Sequence, residues 1–353
     1  MSRRSLTLLL ASLLAVGLSL AAAVATVPYV ALGPGPAYDT LGSVGGTPVI
    51  TVKGRKTYPT QGMLDLTTVG VVPQLTLVEA LKDWFDSDLA VVPREVVYPP
   101  DQTDAQVDAE NTQAMTTSQD NATTAALRQL GIPIATQVVV AAVSKGSPAE
   151  GQLLPGDVVT AVDGKPVADG KALRTAVSSR TPGARVAVTV QRAGASRTLT
   201  LTTAAAKGET PARAVIGVEP QDRADYPFDV TIRLREVGGP SAGLMFALGI
   251  IDKLEPVQLT GGTHVAGTGE ISPDGVVGPI GGIPQKLLGA RKKGATVFLT
   301  PAGNCKEALG ALPSGLRLVR VTTLKDALEG LRVLRDGGKP ASCADPVSAA
   351  PAR

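Results

Sequence analysis

One stretch decides the fold of this 353-residue chain: Gly239-Pro240-Ser241-Ala242-Gly243, followed by the apolar run 244–251. Lys286 stands 45 positions after Ser241, at the end of the stretch Gly278-Pro279-Ile280-Gly281-Gly282-Ile283-Pro284-Gln285-Lys286. A serine hydroxyl becomes nucleophilic when a base removes its proton, and that base is usually histidine. The chain has a single histidine, His264. Lys286 is therefore the simplest candidate for the general base that activates Ser241.

The residues around Ser241 suit a nucleophile. Proline is favoured at the first positions of a helix, so Pro240 predicts that Ser241 lies at or just inside a helix start. The unpaired N–H groups there, with the positive end of the helix dipole, can hold an oxyanion. We expect Gly239, Ala242 and Gly243 to form this oxyanion and substrate-backbone site, because they leave room for a peptide to approach.

Lys286 stands in the first turn of a second predicted helix, which begins at Pro284 and ends at Gly294. The positive end of that helix and burial both disfavour a charged ammonium. Both effects lower the pKa of Lys286 towards the neutral amine that a general base requires.

Ser241 and Lys286 could instead have structural roles, which is the alternative to the catalytic interpretation. Gly-Pro-Ser at a helix start is commonly a capping turn, and a lysine in a first helical turn is commonly solvated. Each feature alone favours that interpretation, whereas the two together in this order favour catalysis.

From Gly239 to about Asn304 the residues resemble the proteolytic domain of Lon-type proteases, through Gly-Pro-Ser-Ala-Gly, Thr268-Gly269-Glu270, Pro-Ile-Gly-Gly and a lysine that opens a helix. The resemblance implies that Ser241 is the nucleophile, Lys286 the general base and Thr268 a hydroxyl that orients the lysine amine. Val237-Gly238 replaces the acidic residue common in the ATP-dependent members, and Pro284-Gln285 replaces a more polar pair.

Composition limits the remaining function classes. The chain is 44% hydrophobic but only 3% aromatic, so its cores must be aliphatic, and a net charge of +3 gives no reason to expect a nucleic-acid partner. A phosphate-binding Gly-x-x-x-x-Gly-Lys-Ser/Thr motif is absent from the sequence, so we expect no ATPase and no cofactor. With one histidine, which we expect in a strand near the site, we predict no metal site.

The N-terminus predicts a membrane segment. Arg3 and Arg4 precede the apolar stretch 6–27, which can span a bilayer, and arginines before the span predict an extracytoplasmic body. The expected location is the cell membrane, with a single pass. A cleaved signal peptide is the alternative, because Ala23-Val24-Ala25 resembles a cleavage site. Cys305 and Cys343 fit one disulfide in an exported protein, with two free thiols as the alternative.

The middle of the chain resembles a bacterial PDZ domain, through the strand 138–143, the turn 146–151 and Leu154-Pro155-Gly156-Asp157 before a further strand. A helix over 170–178 and strands over 185–191 and 197–202 follow. The resemblance implies a module that binds C-terminal peptides along a sheet edge. The segment Leu130-Gly131-Ile132 resembles the loop that holds the peptide carboxylate.

The predicted fold is of the α+β class: a Lon-type proteolytic domain with a PDZ domain inserted in it, plus one N-terminal transmembrane helix. A string of independent domains is the alternative. The expected parts are a cytoplasmic tip 1–5, a transmembrane helix 6–27, a stalk 28–46, the N-terminal part of the Lon-like domain 47–128, the PDZ domain 129–205, the catalytic part 206–335 and a disordered tail 336–353.

Several local elements are also predicted. Segments 47–52 and 62–69 are predicted to be paired strands, 101–108 a polar loop, and 109–128 a helix. Segment 76–85 is predicted to be an amphipathic helix, in which Trp84 and Phe85 are expected to pack in the core, with the membrane as the alternative. Capping boxes are expected at Asn304 with Glu307 and at Thr323 with Asp326.

The function predicted from these resemblances is an ATP-independent serine endopeptidase that acts on exported or membrane proteins recruited through the PDZ domain. The expected partners are protein or peptide substrates bound through their C-termini, the membrane, and further copies in a Lon-like ring. A catalytically inactive PDZ adaptor is the alternative. Penicillin-binding enzymes need Ser-x-x-Lys, which is absent from the sequence, and a signal peptidase would not explain the PDZ signature.

Overall fold

A computed structural model describes residues 3–206, 208, 212–234 and 237–345. Its contacts divide the chain into a first unit, residues 1–132 with 228–353, and a second unit, residues 133–227. The second unit therefore interrupts the first in sequence. It begins four residues after the predicted start of the PDZ segment and extends well past the predicted end at 205.

The described N-terminal half of the first unit contains three α-helices, a short 3-10 helix (Arg94–Val96) and eight strands. Thr76 with Glu79 and Thr103 with Gln106 form capping boxes. The second box starts a helix at Asp104, so the loop predicted over 101–108 is wrong from there onward. The elements are α1 (Arg3–Val24), β1 (Thr26–Val27), β2 (Tyr29–Asp39), β3 (Ser43–Val44), β4 (Thr47–Pro48), β5 (Ile50–Lys53), β6 (Met63–Val72), β7 (Leu75–Thr76), α2 (Leu77–Trp84), β8 (Ala90–Pro93) and α3 (Asp104–Gln129).

In its described residues the second unit has one main antiparallel sheet, one α-helix and a separate two-stranded pair. Its strands lie in the order β13-β12-β10-β9-β16, so β16 is an edge strand. Valine and leucine side chains at alternate strand positions fill its core. The elements are β9 (Ala135–Val143), β10 (Val158–Val162), β11 (Lys165–Pro166), α4 (Gly170–Ser178), β12 (Arg185–Arg192), β13 (Ala195–Thr202), β14 (Ala204–Ala205), β15 (Ala214–Val215) and β16 (Val218–Asp225).

The C-terminal half of the first unit alternates strands and helices. Its helix α5 is apolar on every side, and its described side chains are almost all buried. The elements are β17 (Asp229–Ile232), α5 (Gly243–Leu254), β18 (His264–Gly267), β19 (Glu270–Ile271), β20 (Val277–Gly278), α6 (Ile283–Lys293), β21 (Val297–Pro301), α7 (Cys305–Gly310), β22 (Arg317–Val321) and α8 (Leu324–Arg335).

The main sheet of the first unit combines both halves in the order β22-β21-β18-β6-β2-β8. β18 runs parallel to both β6 and β21, and β2 is antiparallel to β6. The halves also meet where β5 pairs with β17 across the insertion. The prediction that 47–52 pairs with 62–69 is therefore wrong, because each strand has its partners elsewhere.

The predicted stalk over 28–46 is also wrong. Its residues form β2, which lies between β6 and β8 with Val30 and Ala31 fully buried. The Gly-Pro repeat is accommodated by a register shift between Pro34 and Ala37. A side chain at Gly35 would approach Thr68 Oγ1 to 2.3 Å, so this position needs glycine because the strands lie too close.

Both ends of the chain differ from their predictions. Helix α1 ends at Val24, and Thr26–Val27 pairs with β7, so the span is shorter than 6–27. In the tail, Arg320 N–H donates to Ala341 O, and Cys343 is buried and bonded to Cys305. Disorder is therefore wrong for 336–345, because the disulfide and this pairing hold the segment. Residues 346–353 lie outside the described part.

Candidate active site

Ser241 lies in a turn at the start of α5. Gly239 adopts a φ of 82°, and Ala242 is the N-cap residue. Ser241 therefore precedes the N-cap by one residue, where the sequence predicted it at or just inside the helix. The turn places its side chain beside the helix end, whose first N–H groups lack intrahelical acceptors.

Helix α3 holds this turn in place. Gly239 N–H donates to Asn111 O at 2.9 Å, and the buried Ser118 Oγ donates to Pro240 O at 2.8 Å. A side chain at Gly243 would meet Ser118 Oγ at 2.9 Å and Ile271 at 2.8 Å, so the helices pack closely there. Sequence reasoning missed both α3 contacts, because the partners are more than a hundred residues apart.

Lys286 lies one turn into α6. Gly282, in the left-handed region at φ 69°, is the N-cap, and Pro284 occupies the first turn as predicted. Lys286 N–H donates to Gly282 O at 3.1 Å, so Lys286 is the first residue of the helix to make an intrahelical bond of this kind. Its side chain is almost completely buried.

Ser241, Lys286 and Thr268 converge at one point. Lys286 Nζ donates to Ser241 Oγ at 2.9 Å and to Thr268 Oγ1 at 3.2 Å, and Thr268 Oγ1 donates to Ser241 O at 3.0 Å. Once the amine is neutral, the same contact lets the serine hydroxyl donate to the Nζ lone pair. The arrangement can transfer the serine proton to lysine without further movement.

The environment of Lys286 tunes its basicity. Burial lowers the pKa of Lys286 to about 8, against the opposing effect of the Glu270 carboxylate. A lysine amine with such a pKa is partly neutral near neutral pH, as a general base must be.

The three residues predicted for the oxyanion and substrate backbone differ in what they offer. The Gly239 N–H is already used by Asn111 O, and the Gly243 N–H makes a long 3.5 Å contact with Pro240 O. Within the described residues, the Ser241 and Ala242 N–H groups have no protein acceptor. Ala242 is thus the strongest of the three as a donor to a developing oxyanion.

Two cavities lie beside Ser241. One of about 360 Å³ contains the dyad and is lined by residues of β2, β6 and the segment before Ser241. The other, of about 460 Å³, lies between α3 and β19, with Pro240 and Glu270 in its wall. A substrate chain therefore has room on either side of the nucleophile.

Both ends of the lysine-bearing segment are fixed. Asn304, predicted to cap a helix, makes no such bond: its side chain accepts from Ile280 N–H at 2.9 Å and donates to Ile280 O at 2.8 Å. At the far end, Lys293 Nζ donates to the buried Asp65 Oδ1 at 2.9 Å, and His264 Nε2 lies 2.6 Å from Asp65 Oδ2. His264 thus lies at the start of strand β18, in contact with Asp65.

The predicted carboxylate loop does not lie in the second unit. Leu130, Gly131 and Ile132 end helix α3 in the first unit. A cavity of about 490 Å³ in the second unit lies between α4 and the chain from β15 to β16. Gly217, at φ 79°, has space for no side chain, because Ser147 Cβ would lie 2.1 Å away. The sequence predicted the loop before the first strand of the PDZ domain, whereas this cavity is lined by Ser144, by residues of α4, by Ala206 and by residues 213–220.

Residues 235–331 match the family described as the Lon protease (S16) C-terminal proteolytic domain, and residues 109–203 match the PDZ domain family. The PDZ match begins within α3 of the first unit and ends before β16.

Curated relatives are Lon proteases. Lon protease 2 of Bacillus subtilis is 31% identical over 121 residues, which is 33% of this chain and 20% of that protein. Lon protease 1 of Sorangium cellulosum is 42% identical over 96 residues, 26% and 11% of the two chains. Lon protease of Rhizobium meliloti is 34% identical over 136 residues, 38% and 16%. The chain thus spans about a fifth or less of the length of these relatives.

Solved structures similar to this chain include the PDZ domains of SdrC-like proteins from two Listeria species. The L. monocytogenes domain has a TM-score of 0.22 and 20% identity, over 24% of this chain and 85% of that one. The L. innocua domain has a TM-score of 0.22 and 21% identity, over 24% and 93%. The family matches confirm the resemblances predicted from the sequence: the chain combines a Lon-type proteolytic domain with a PDZ domain in a fold that mixes helices and sheets.

Proposed function

We propose that this chain, with its Lon-type proteolytic domain and PDZ domain, is an ATP-independent serine endopeptidase with Ser241 as nucleophile and Lys286 as base. The observation that carries the proposal is the 2.9 Å contact between the buried Lys286 Nζ and Ser241 Oγ. Thr268 is the positioning residue, because its hydroxyl bonds both the amine and the Ser241 carbonyl.

The reaction follows from this geometry. Lys286 Nζ takes the hydroxyl proton as Ser241 Oγ attacks a peptide carbonyl carbon, and the oxyanion is held by the Ala242 N–H. When the tetrahedral intermediate collapses, the peptide C–N bond breaks and the leaving amine takes the proton from Lys286. Water, deprotonated by the same lysine, then hydrolyses the acyl-enzyme and restores Ser241.

Peptide capture belongs to the groove of the second unit. β16 is an edge strand, so a peptide can pair with it beside α4. The Ile216 and Gly217 carbonyls accept hydrogen bonds from the Ala149 and Ser144 N–H groups. Because the C=O and N–H of a peptide group point in opposite directions, the N–H groups of this loop point away from those partners. Arg174 and the apolar side chain of Leu173 line the groove. These features suit a C-terminal carboxylate that follows an apolar side chain.

Location in the cell membrane rests on α1. Leu6–Val24 is a 19-residue apolar segment with mean hydropathy 2.3, and Arg3 and Arg4 precede it. This length and charge pattern suits a single-pass anchor with an extracytoplasmic body. The bonded pair Cys305 and Cys343 suits the same oxidising side. Substrates would then be unfolded or clipped exported and membrane proteins.

The test is cleavage of casein, an unfolded protein, by the full chain in detergent without ATP, with Ser241→Ala and Lys286→Ala beside it. Lys306→Met, an exposed lysine change, is the matched control and should retain activity. Loss in both dyad variants supports the proposal. Equal cleavage by all of them would assign the activity to another nucleophile.

Peptide capture is measured separately, from the binding of fluorescent peptides that end in valine with a free or an amidated terminus. We expect the free carboxylate to bind and Arg174→Ala to weaken its binding, because Arg174 is exposed and lines the groove. Binding of peptides without cleavage of casein would identify the chain as the adaptor instead.

A further inference from the structure

Helix α2 exposes the face that its sequence predicts to be buried. At about 100° per residue, its apolar side chains fall within an arc of about 120°. These residues are all exposed: Leu77, Val78, Leu81, Trp84 and Phe85. Trp84 is 65% exposed and Phe85 86% exposed. The side chains that turn partly inward are Ala80 and Asp83. The expectation that Trp84 and Phe85 pack in the core is therefore wrong.

The position of α2 in the first unit identifies what covers this face. Leu77 N–H donates to Ala25 O at 3.0 Å, and Ala25 is the residue that follows α1. β1, directly after α1, pairs with β7, directly before α2, and the two helices are in contact. The start of α2 is therefore fixed to the end of the apolar helix α1.

An exposed apolar face at that point suits a bilayer surface. Where α1 crosses a membrane, its end at Val24 lies in the headgroup region, and α2 lies there with it. Tryptophan is favoured at this depth, and phenylalanine is typical of the apolar face of a helix that lies there. We propose that α2 lies in the membrane interface with Trp84 and Phe85 inserted into the lipid, as a second membrane contact of the first unit. This inference rests on the proposed anchoring by α1.

The charges around α2 say which lipid surface suits it. Residues 77–86 carry three carboxylates, those of Glu79, Asp83 and Asp86, against the ammonium of Lys82. Attraction to anionic headgroups therefore contributes nothing, and insertion depends on the apolar side chains. A zwitterionic phosphatidylcholine surface is the appropriate probe.

A second membrane contact also has a consequence for the protease. α2 packs on β2 and β8, which form one edge of the main sheet, and Pro36 of β2 lines the cavity that contains the dyad. Contacts at both α1 and α2 restrict rotation of the first unit about the α1 axis. They therefore hold the dyad cavity in one orientation towards the membrane.

Trp84 itself is the probe, because the chain has one tryptophan. The experiment places the full chain in phosphatidylcholine nanodiscs, one copy per disc, and compares ordinary lipid with lipid brominated near the carbonyl ends of its acyl chains. We expect the brominated lipid to remove most of the Trp84 emission and acrylamide in water to quench it little. A spectrum shifted to the blue of that in the unfolded chain should accompany this protection.

The matched control moves the tryptophan. Leu312 is an exposed residue in the connection between α7 and β22. β22 is the edge strand opposite β8, and the two strands lie about 24 Å apart at normal strand spacing. In the Trp84→Phe, Leu312→Trp variant we expect acrylamide to quench the emission and brominated lipid to leave it unchanged.

Three outcomes would overturn the proposal. Quenching of Trp84 by acrylamide and not by brominated lipid would place α2 in water. Protection from both quenchers would place its face against protein, as in contact with a second copy. Recovery of the chain outside the discs would contradict the anchoring by α1 as well. The proposed protease activity would not be affected by that result, because casein cleavage is measured separately in detergent.

Discussion

At the scale of the residue, Lys286 combines two opposing requirements. It is almost completely buried, yet near neutral pH most of its population still carries a proton, because its pKa is about 8. The unfolded chain protonates this lysine more readily, with a pKa near 10.5. Burying the ammonium therefore destabilises the fold, and the same burial supplies the base that Ser241 needs.

The first prediction concerns the Lys286→Met variant. It removes the buried charge, so we expect the first unit to gain up to about 3 kcal/mol in unfolding free energy at pH 7 while activity is lost. The wild-type protein recovers this stability as the pH rises from the folded pKa of about 8 towards 10.5. The advantage of the variant should therefore shrink over that interval.

Thermal unfolding at pH 7 and at pH 10.5 measures this difference. Lys306→Met is the control, because that lysine is exposed and its loss should shift the transition little at either pH. A Lys286→Met variant that is less stable than the wild type at pH 7 would contradict the account.

The second prediction concerns Thr268, whose hydroxyl accepts a hydrogen bond from the lysine amine. Thr268→Val removes an acceptor that favours the charged amine, so the midpoint of the pH–rate profile should move to lower pH. Because the amine also loses its orientation, kcat should fall about tenfold, the effect of one such hydrogen bond.

The control for Thr268 is Thr300→Val. Thr300 is an equally buried threonine whose hydroxyl, within the described part of the chain, contacts only Phe298 O, at 3.4 Å. It should leave the pH midpoint unchanged. A common shift in both variants would mean that the loss of Thr268 acts through the fold and not through the lysine.

At the scale of the element, α3 determines the shape of the nucleophile turn. The third prediction is that Ser118→Ala lowers kcat/KM about tenfold, because the Pro240 carbonyl loses its donor and the turn can relax. Steady-state cleavage of a fluorogenic peptide measures it. Thr123→Val is the control, since the Thr123 hydroxyl donates to Gln119 O within α3 and, among the residues that the structure describes, to no other group. Equal losses in both variants would indicate general damage to the helix.

Elements with a local signal were predicted well from the sequence. The helix over 170–178 is observed at those residues, and the capping box of Thr323 with Asp326 is present. β2 was missed because its Gly-Pro repeat suggests a stalk, while the pairing that makes it a strand comes from β6 and β8. Long-range pairing overrides local propensity there.

In the candidate site, too, residues with a local sequence signal were predicted and residues that act through long-range contacts were not. The chemistry of a serine and a lysine at two helix starts predicted Ser241 and Lys286, the family resemblance implied Thr268, and the structure brings the three side chains together. Asn111 and Ser118 left no signal, since they hold the turn through backbone carbonyl and N–H groups of distant residues. The segment Leu130-Gly131-Ile132, predicted as a carboxylate loop, belongs to the first unit, because helix α3 continues to Gln129 and these residues end it.

At the scale of the whole molecule, the bond between Cys305 and Cys343 secures the C-terminal segment. It closes a loop over a sequence separation of 38. The fourth prediction is that the Cys305→Ser, Cys343→Ser double variant lowers the unfolding free energy of the first unit by about 2–4 kcal/mol. Thermal unfolding with and without a reductant measures this. The reductant should lower the transition of the wild type and leave the variant unchanged, and a wild type insensitive to reduction would contradict the prediction.

The central claim is that Lys286 activates Ser241, and the pH dependence of Ser241 acylation tests it most directly. The full chain is treated with a fluorophosphonate across pH 6 to 10, and the modified residue is identified by mass spectrometry of the peptide containing Ser241. We predict a single labelled serine, a rate that rises with pH to a plateau with a midpoint of about 8, and loss of labelling in Lys286→Met. A rate that is independent of pH, or equal labelling of the Lys286→Met variant, would contradict the account.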